Sequence, residues 1–356
     1  MDTFTSFIGE LRVKSNQERK LHHDKIINWI DEYPMKDGKR GLALTMILPT
    51  KGCKYAMAKH GGCSMCTLPM DNPLQPTETL IKSLPQRCVD IFNAKGGKEK
   101  FVAVKFYTSG SFLDRWELPI EVRDNILRTF AELVDEITIE TRCEFVTRKQ
   151  LTSIIDIIPP SKLIVAIGQE TTDDEINKRS INKGHTLNQF KRAVNILRTL
   201  GIQTKGYVLL KPIFLSELAS VEDAIRTIET MKSVQIQHVS INPAYIGKMT
   251  LMDFMFKYRE YQPPWLWSVL IVTKKAKEIL GSSVRLISDP VAAGSERGPS
   301  NCKECNPIFK EALKEFSATQ DVGILNKLAC DCYEIYKSTI YNEILSNGMG
   351  IDSIRY

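Results

Sequence analysis

The sequence predicts an α/β protein organised as a partial (β/α)6-type barrel, preceded by a helical extension and followed by a small cysteine-bearing region. Three observations carry this expectation. Apolar, β-branched runs alternate with amphipathic stretches from about residue 42 to residue 288. Consecutive runs are separated by enough chain for a helical crossover, which builds a parallel sheet with right-handed connections. Residues with chemistry in them gather just after the apolar runs, where an α/β barrel carries its active site.

The strand candidates are 42–48, 102–107, 137–141, 163–168, 203–209 and 237–241, with a weaker seventh at 283–287. Helical patterns lie at 77–94, 119–133, 148–156, 186–200, 218–232 and 265–280. Before the strand at 203–209 the apolar positions Phe190, Val194 and Leu197 share one helical face, and Gly201 supplies the stop. Residues 1–40 read as a polar helical extension, with an amphipathic segment around Ile26, Ile27, Trp29 and Ile30 that packs on the barrel. The expected division is 1–40 for the extension, 41–290 for the barrel and 291–356 for the cysteine region.

Composition narrows the class. The chain has 356 residues, 43% hydrophobic and 25% charged, enough for one large core plus an appendage. No apolar stretch approaches the roughly 20 residues that cross a bilayer, so no membrane partner is expected. The first residues lack a basic segment followed by a hydrophobic one, and the expected location is cytoplasmic. Nine cysteines, mostly clustered, then indicate metal binding in a reducing compartment rather than a disulfide framework. The net charge of +6 permits nucleic-acid binding without requiring it. Basic groups such as Lys178-Arg179 with Lys183, or Lys191-Arg192 with Arg198, could face an anionic partner, but each taken alone reads as a solvated helix face.

Cys53, Cys63 and Cys66 leave nine residues between the first pair and two between the second, on a Gly-containing loop just past the first apolar run. Three thiolates there can hold three irons of a [4Fe–4S] cluster and leave the fourth open to a ligand that is not protein. The alternative is a zinc knuckle with His60 completing a Cys₃His set. Farther on, Cys302, Cys305, Cys330 and Cys332 form a CxxC and a CxC around a helical stretch. Four thiolates in two tight pairs suit a structural zinc ion, and a second cluster is the other use of such a set. Cys88 and Cys143 read as structural. Trp265 and Trp267 read as helix packing rather than as stacking platforms for bases.

The cluster loop resembles that of the radical S-adenosylmethionine (SAM) superfamily, and its long first gap resembles the Elongator-type tRNA-modifying branch. Tyr107-Thr108-Ser109-Gly110-Ser111, Glu140-Thr141-Arg142 and Gly168-Gln169-Glu170 each end a strand candidate. Further on come Ser180-Ile181-Asn182-Lys183-Gly184, Leu209-Leu210-Lys211-Pro212 and Ile241-Asn242-Pro243. With Pro263-Pro264-Trp265-Leu266-Trp267 and Arg297-Gly298-Pro299-Ser300-Asn301-Cys302, the chain is similar to the radical SAM subunits of archaeosine synthases over residues 40 to 335. That resemblance implies the partial TIM barrel of the superfamily, a [4Fe–4S] cluster on Cys53, Cys63 and Cys66, and SAM held by Ser109, Gly110, Ser111, Glu140, Arg142, Gln169 and Glu170. Lys211 and Glu170 are its expected catalytic side chains, and Lys183 and Asn242 are further candidates for holding phosphate, substrate carboxylate or SAM. It also implies an archaeal lyase acting on tRNA. A lysine-transferring partner subunit attaches lysine to 7-cyano-7-deazaguanine in the D-loop. With an external electron donor, this chain would then break a carbon–nitrogen bond of the lysine part by radical chemistry.

Overall fold

A computed structural model describes residues 2–20, 23–35 and 40–348. The last eight residues of the expected cysteine region, and residues 1, 21–22 and 36–39 of the extension, lie outside them. Eight strands make one sheet in sequence order: β1 Ile27–Pro34, β2 Arg40–Ile47, β3 Ala103–Tyr107, β4 Glu136–Thr141, β5 Leu163–Glu170, β6 Gln203–Leu210, β7 His238–Pro243 and β8 Arg285–Ile287. All pairs from β2 to β8 are parallel, whereas β1 runs antiparallel to β2. The principal helices are α1 Thr3–Gln17, α2 Glu78–Ala94, α3 Ile120–Ala131, α4 Arg148–Ile155, α5 Leu187–Thr199, α6 Glu217–Ser233, α7 Leu266–Leu280, α8 Asn306–Thr319 and α9 Tyr333–Gly348.

The seven expected strands and six expected helices are present within a few residues of their sequence bounds. Side-chain caps start several helices. Thr77 accepts from Leu80 N at 3.1 Å, and Thr186 forms a reciprocal capping box with Gln189. Gly201, at φ 73°, ends α5 as its lack of a Cβ allows.

One expectation needs correction. The segment around Ile27 to Ile30 is the edge strand β1, not part of a helical extension. Trp29 and Ile30 are 41% and 38% exposed, so neither the strand period nor the helical one is visible in hydrophobicity. Tertiary contacts decide it. Asp31 accepts from Thr45 Oγ1 at 2.6 Å and pairs with Lys105 Nζ at 2.8 Å across β2 and β3.

The sheet is curled and open, since the strand order ends at β1 on one side and β8 on the other. Side chains from the end of α8 cover the β8 edge. The Gln320 amide both donates to Leu286 O and accepts from Leu286 N, and Ser317 Oγ accepts from Ser288 N. Arg285 of β8 reaches Glu136 of β4 (Nη2–Oε1 3.0 Å) and Tyr33 of β1 (3.0 Å), tying the floor of the barrel together.

The two faces of the strands differ sharply. Outward positions such as Leu44, Met46, Val104, Phe106, Ile137, Ile139, Val165 and Val208 are 0% exposed under the helices. Small residues such as Ala43, Ala103 and Ala166 apart, many inward positions are polar: Thr45, Lys105, Tyr107, Thr138, Glu140, Lys205, Tyr207, Ser240 and Asn242. Unlike a barrel filled with branched apolar side chains, this lumen is lined by groups that need partners. No helix among the described residues is long and apolar enough to cross a membrane.

Candidate functional site

The three-cysteine loop leaves β2 at its C-terminal end. Leu48 N still bonds Tyr107 O at 2.8 Å, and Thr50 Oγ1 donates to Thr108 O, so the loop starts anchored to β3. Cys53 opens a single helical turn, Lys54–Met57. Gly61 and Gly62 both have positive φ, and a Cβ on Gly62 would lie 2.7 Å from Ala56 Cα, so the chain folds back tightly before Cys63.

Two distant segments hold this loop by its backbone. From α1, the 5%-exposed Arg12 donates to Gly61 O (2.9 Å) and Cys66 O (2.7 Å). Arg19 donates to Asn72 O and Pro73 O. From the β5–α5 connection, Asn182 Nδ2 donates to Gly62 O (2.7 Å) and His60 O, and Ser64 N bonds Ile181 O. Tyr55 OH closes the arrangement by donating to Asn182 O at 2.9 Å. Residues Asn177–Ile181 adopt a π-helical turn that ends in Asn182 at φ 56°, a distortion that aims this segment at the loop.

The residues fit a cluster better than a single ion. Around one tetrahedral metal, sulfurs lie about 3.8 Å apart, given metal–sulfur bonds of about 2.3 Å. Among the described residues, only Cys302, Cys305, Cys330 and Cys332 bring their ligand atoms within 4.8 Å of one another. Cys53, Cys63 and Cys66 do not all converge to that distance, in keeping with ligands of separate irons. His60 joins no group of three such ligand atoms within 4.8 Å of one another among the described residues, so the zinc-knuckle alternative lacks its geometry. Burial pushes the Cys53 thiol up to about 12 and the Cys66 thiol to about 11, so these sulfurs need a metal's positive charge to ionise.

The wall facing the loop is the β3–α3 turn. Ser109 has φ 61° and a buried hydroxyl with no partner. A Cβ on Gly110 would fall 2.3 Å from Glu117 Oε1 and 2.6 Å from Cys53 Cα, so only glycine lets this turn approach the cysteine loop. Glu117 escapes sequence reasoning because it belongs to no strand-end motif; the apolar neighbours Phe112, Leu113 and Leu118 are the one signal that this turn is buried. Its carboxylate accepts from Thr108 Oγ1 (3.0 Å) and Ser111 N (2.8 Å), and burial holds it well above the usual range. Ser111 Oγ accepts from Arg142 N.

Arg142 stacks its guanidinium 4.1 Å from the Tyr55 ring centroid, donates to Lys183 O and pairs with Glu144 at 2.6 Å. Lys183 in turn pairs with Glu170 at 2.8 Å. Glu170 has φ 68° beside an irregularity in the β5–β6 register, which turns it into the mouth. A cavity of ≈ 310 Å³ opens here, lined by Tyr55, His60, Glu117, Arg142 and Glu144 among others.

Other expected site residues lie elsewhere. Gln169 is fully buried, donating to Thr171 O and bonding the His185 ring, so its amide is committed to the β5–α5 connection. Glu140 points into the lumen below the rim, where burial raises its carboxyl to about 7. Asn242 also faces the lumen and accepts from Ser240 Oγ at 3.0 Å. Lys211 stands at the end of β6 with φ 64°, its ammonium 2.6 Å from Glu217. That carboxylate also accepts from Trp265 N at 2.8 Å, which ties Lys211 to the start of α7.

The second cysteine set is compact. Cys302 and Cys305 sulfurs are 3.5 Å apart, and Cys302–Cys330 and Cys305–Cys332 are each 3.6 Å. The spacing suits one tetrahedral ion and is too tight for four cluster irons. Backbone N–H of Cys305 pulls the Cys302 thiol down to about 7. Trp267 donates its indole N–H to Cys332 Sγ and packs on Phe309 and Tyr333, and Trp265 meets Tyr336 edge-on. Both tryptophans therefore seat this region on the barrel.

Comparison with known proteins agrees with the geometry. The profile of the Radical SAM superfamily matches residues 47–225. Archaeosine synthase subunit beta of Methanosarcina acetivorans is 36% identical over 88% of this chain and 90% of its own length. The protein of the same description from Thermococcus kodakarensis is 39% identical over 86% of this chain and 94% of its own. Among solved structures, the archaeal Elp3 of Methanocaldococcus infernus lacking its N-terminus is 14% identical over 66% of this chain and 59% of that one, with a TM-score of 0.49. Its sequence relationships over nearly the whole length thus place the chain in the archaeosine synthase subunit beta family of the radical SAM superfamily.

Proposed function

We propose that the protein is a radical SAM tRNA-modifying enzyme of the lyase type, converting the lysine adduct of 7-cyano-7-deazaguanine in the tRNA D-loop to archaeosine by carbon–nitrogen bond cleavage. The observation that carries this reading is the close approach of the Gly110 turn and Glu117 to Cys53, beside a cavity lined by Tyr55, His60, Glu117 and Arg142. Family membership supplies the reaction class, and a lysine-transferring subunit and tRNA are the partners it suggests.

Cys53, Cys63 and Cys66 would hold the [4Fe–4S] cluster. When bound, the cluster would relay an electron from the external donor to SAM, and the pair would supply the radical chemistry that removes a hydrogen from the lysine part. The chain's own residues bind, align and exclude water. Glu117 offers carboxyl oxygens, and the Ser109 hydroxyl an unused donor and acceptor, to the ammonium end of SAM. Arg142 offers positive charge to its carboxylate, held in place by Tyr55 and Glu144. Glu170, fixed by Lys183, is the acceptor nearest to receive ribose hydroxyls or the substrate. The Arg12 and Asn182 clamps keep the loop from opening to solvent. Lys211, already paired with Glu217, acts in this reading by shaping the mouth rather than by exchanging protons. The four C-terminal thiolates hold one zinc ion.

The test is anaerobic reduction with dithionite in the presence of SAM and lysine-adduct tRNA, with an external reductant standing in for the natural electron donor. Mass spectrometry of the digested nucleosides should show loss of the adduct and appearance of the formamidine product. Metal analysis should return about four irons and one zinc per chain. An iron-free protein after reconstitution, or 5′-deoxyadenosine without nucleoside change, refutes this assignment.

A further inference from the structure

Two ionisable groups of opposite type, Glu140 and Lys205, stand in register across β4, β5 and β6 in the barrel lumen without forming an ion pair. Lys105 is neutralised by Asp31 at 2.8 Å. Lys205, three strands away on β6 and 8% exposed, sits 5.0 Å from the Tyr207 ring centroid and makes no ion pair among the described residues; nor does Glu140 on β4, whose side-chain hydrogen-bond partner is the Tyr207 hydroxyl. Burial, with Lys105 adding to it, draws the Lys205 ammonium down to about 7. Burial raises Glu140 to the same region, with Lys183 and Lys205 opposing the rise. Tyr107 and Tyr207, their hydroxyls 3.5 Å apart, line the lumen between β3 and β6.

A buried amine and a half-buried carboxyl that share a lumen without an ion pair keep part of their desolvation cost, which a ligand carrying the complementary charges recovers. We propose that Lys205 and Glu140 form the receptor for the zwitterionic end of an amino acid carried by the substrate, Lys205 taking its α-carboxylate and Glu140 its α-ammonium. This rests on the function proposed above and adds the groups that choose the substrate. An amino acid joined to a base through its side-chain amine keeps both α-groups free. Its aliphatic chain would pass the rim formed by Arg142, Glu170 and Lys183, with the base left at the mouth and the zwitterion in the lumen.

The experiment uses wild-type protein and two tRNAs, one carrying the lysine adduct and one the adduct of cadaverine, which is lysine without its carboxylate. Both kcat/KM and anaerobic equilibrium binding without SAM are measured. A site built around a charged partner should prefer the lysine adduct by on the order of 100-fold in kcat/KM, with a matching preference in binding. In Lys205→Met the ratio between the two adducts should collapse to within a few-fold, whereas Lys205→Arg should keep part of it. A ratio cancels general damage to the fold or the cofactor site. Equal use of both adducts by the wild type, or an undiminished preference in Lys205→Met, overturns the assignment even though the enzyme is active. Conversion of neither adduct by the wild type removes the function proposed above, and this inference with it.

Discussion

Replacing Arg12 with methionine should loosen the cysteine loop without touching a cysteine. The guanidinium is 5% exposed and donates to Gly61 O at 2.9 Å and Cys66 O at 2.7 Å, bridging α1 to both sides of Cys63. A hydrogen bond from a charged donor contributes roughly 1.5–3 kcal/mol, and two carbonyls would lose theirs together. Methionine keeps most of the apolar stem contact. Water re-solvates the carbonyls once the loop opens, so the net loss should fall near the low end, about 3 kcal/mol. Local opening would then become about 150-fold more frequent, since each 1.4 kcal/mol is a factor of ten. Amide hydrogen exchange of residues 59–66 in metal-free protein reads this directly. Chelator-driven loss of iron from reconstituted protein should accelerate in parallel. Exchange in the α5 and α6 region serves as an internal control, because Arg12 touches neither. If residues 59–66 exchange at the wild-type rate in Arg12→Met, the clamp does not hold the loop and the account of α1 is wrong.

Further outcomes follow from the same geometry. Gly110→Ala puts a methyl 2.6 Å from Cys53 Cα and against the Glu117 carboxylate, so SAM binding by equilibrium dialysis should fall at least tenfold while the circular dichroism spectrum stays unchanged. Cys66→Ser should lower iron toward background and leave zinc at its wild-type stoichiometry, whereas Cys332→Ser should do the reverse and lower the melting temperature. Arg285→Leu leaves Glu136 charged beneath the barrel and should cost about 3–5 kcal/mol in urea unfolding. Burial alone would raise the Glu136 carboxyl, but hydrogen bonds from Arg285 and Tyr33 outweigh it and hold it below its usual 4.5. A carboxyl lowered in the folded state stabilises above its unfolded value and loses that contribution as pH falls through the folded one. The stability difference between wild type and Glu136→Gln should therefore shrink on acidification below about pH 4.5 and stay level from pH 6 to 8.

The strand–helix rhythm is written into this chain because β2 to β8 bury their outward face completely under helices. Positions such as Val104 and Phe106 must then be apolar, and their period is visible before any contact is known. The cysteine spacing is equally local: Cys63 and Cys66 share one turn, and the glycines before them mark the fold-back. Edge strand β1 carries no such signal, since one face looks to solvent and the other places Asp31 in a polar lumen. Glu117 and Arg12 are invisible for a different reason, because their partners lie on other elements and nothing in their neighbourhood encodes the meeting. Gln169, read from its strand-end position as a cofactor contact, is turned away from the mouth at the register irregularity beside Glu170.

The amino-acid order by itself therefore determined the element sequence, the parallel sheet, and two cysteine sets of distinct spacing. Those properties arise from local periodicity and from ligands close in the chain. Only the tertiary structure decided that the barrel is open, that α1 clamps the cysteine loop, that four sulfurs converge as around one ion while the other three do not, and that Lys205 and Glu140 share a lumen without an ion pair. Each of these depends on distances between elements far apart in sequence, where the energy of a buried charge or hydrogen bond is fixed by what the fold places beside it.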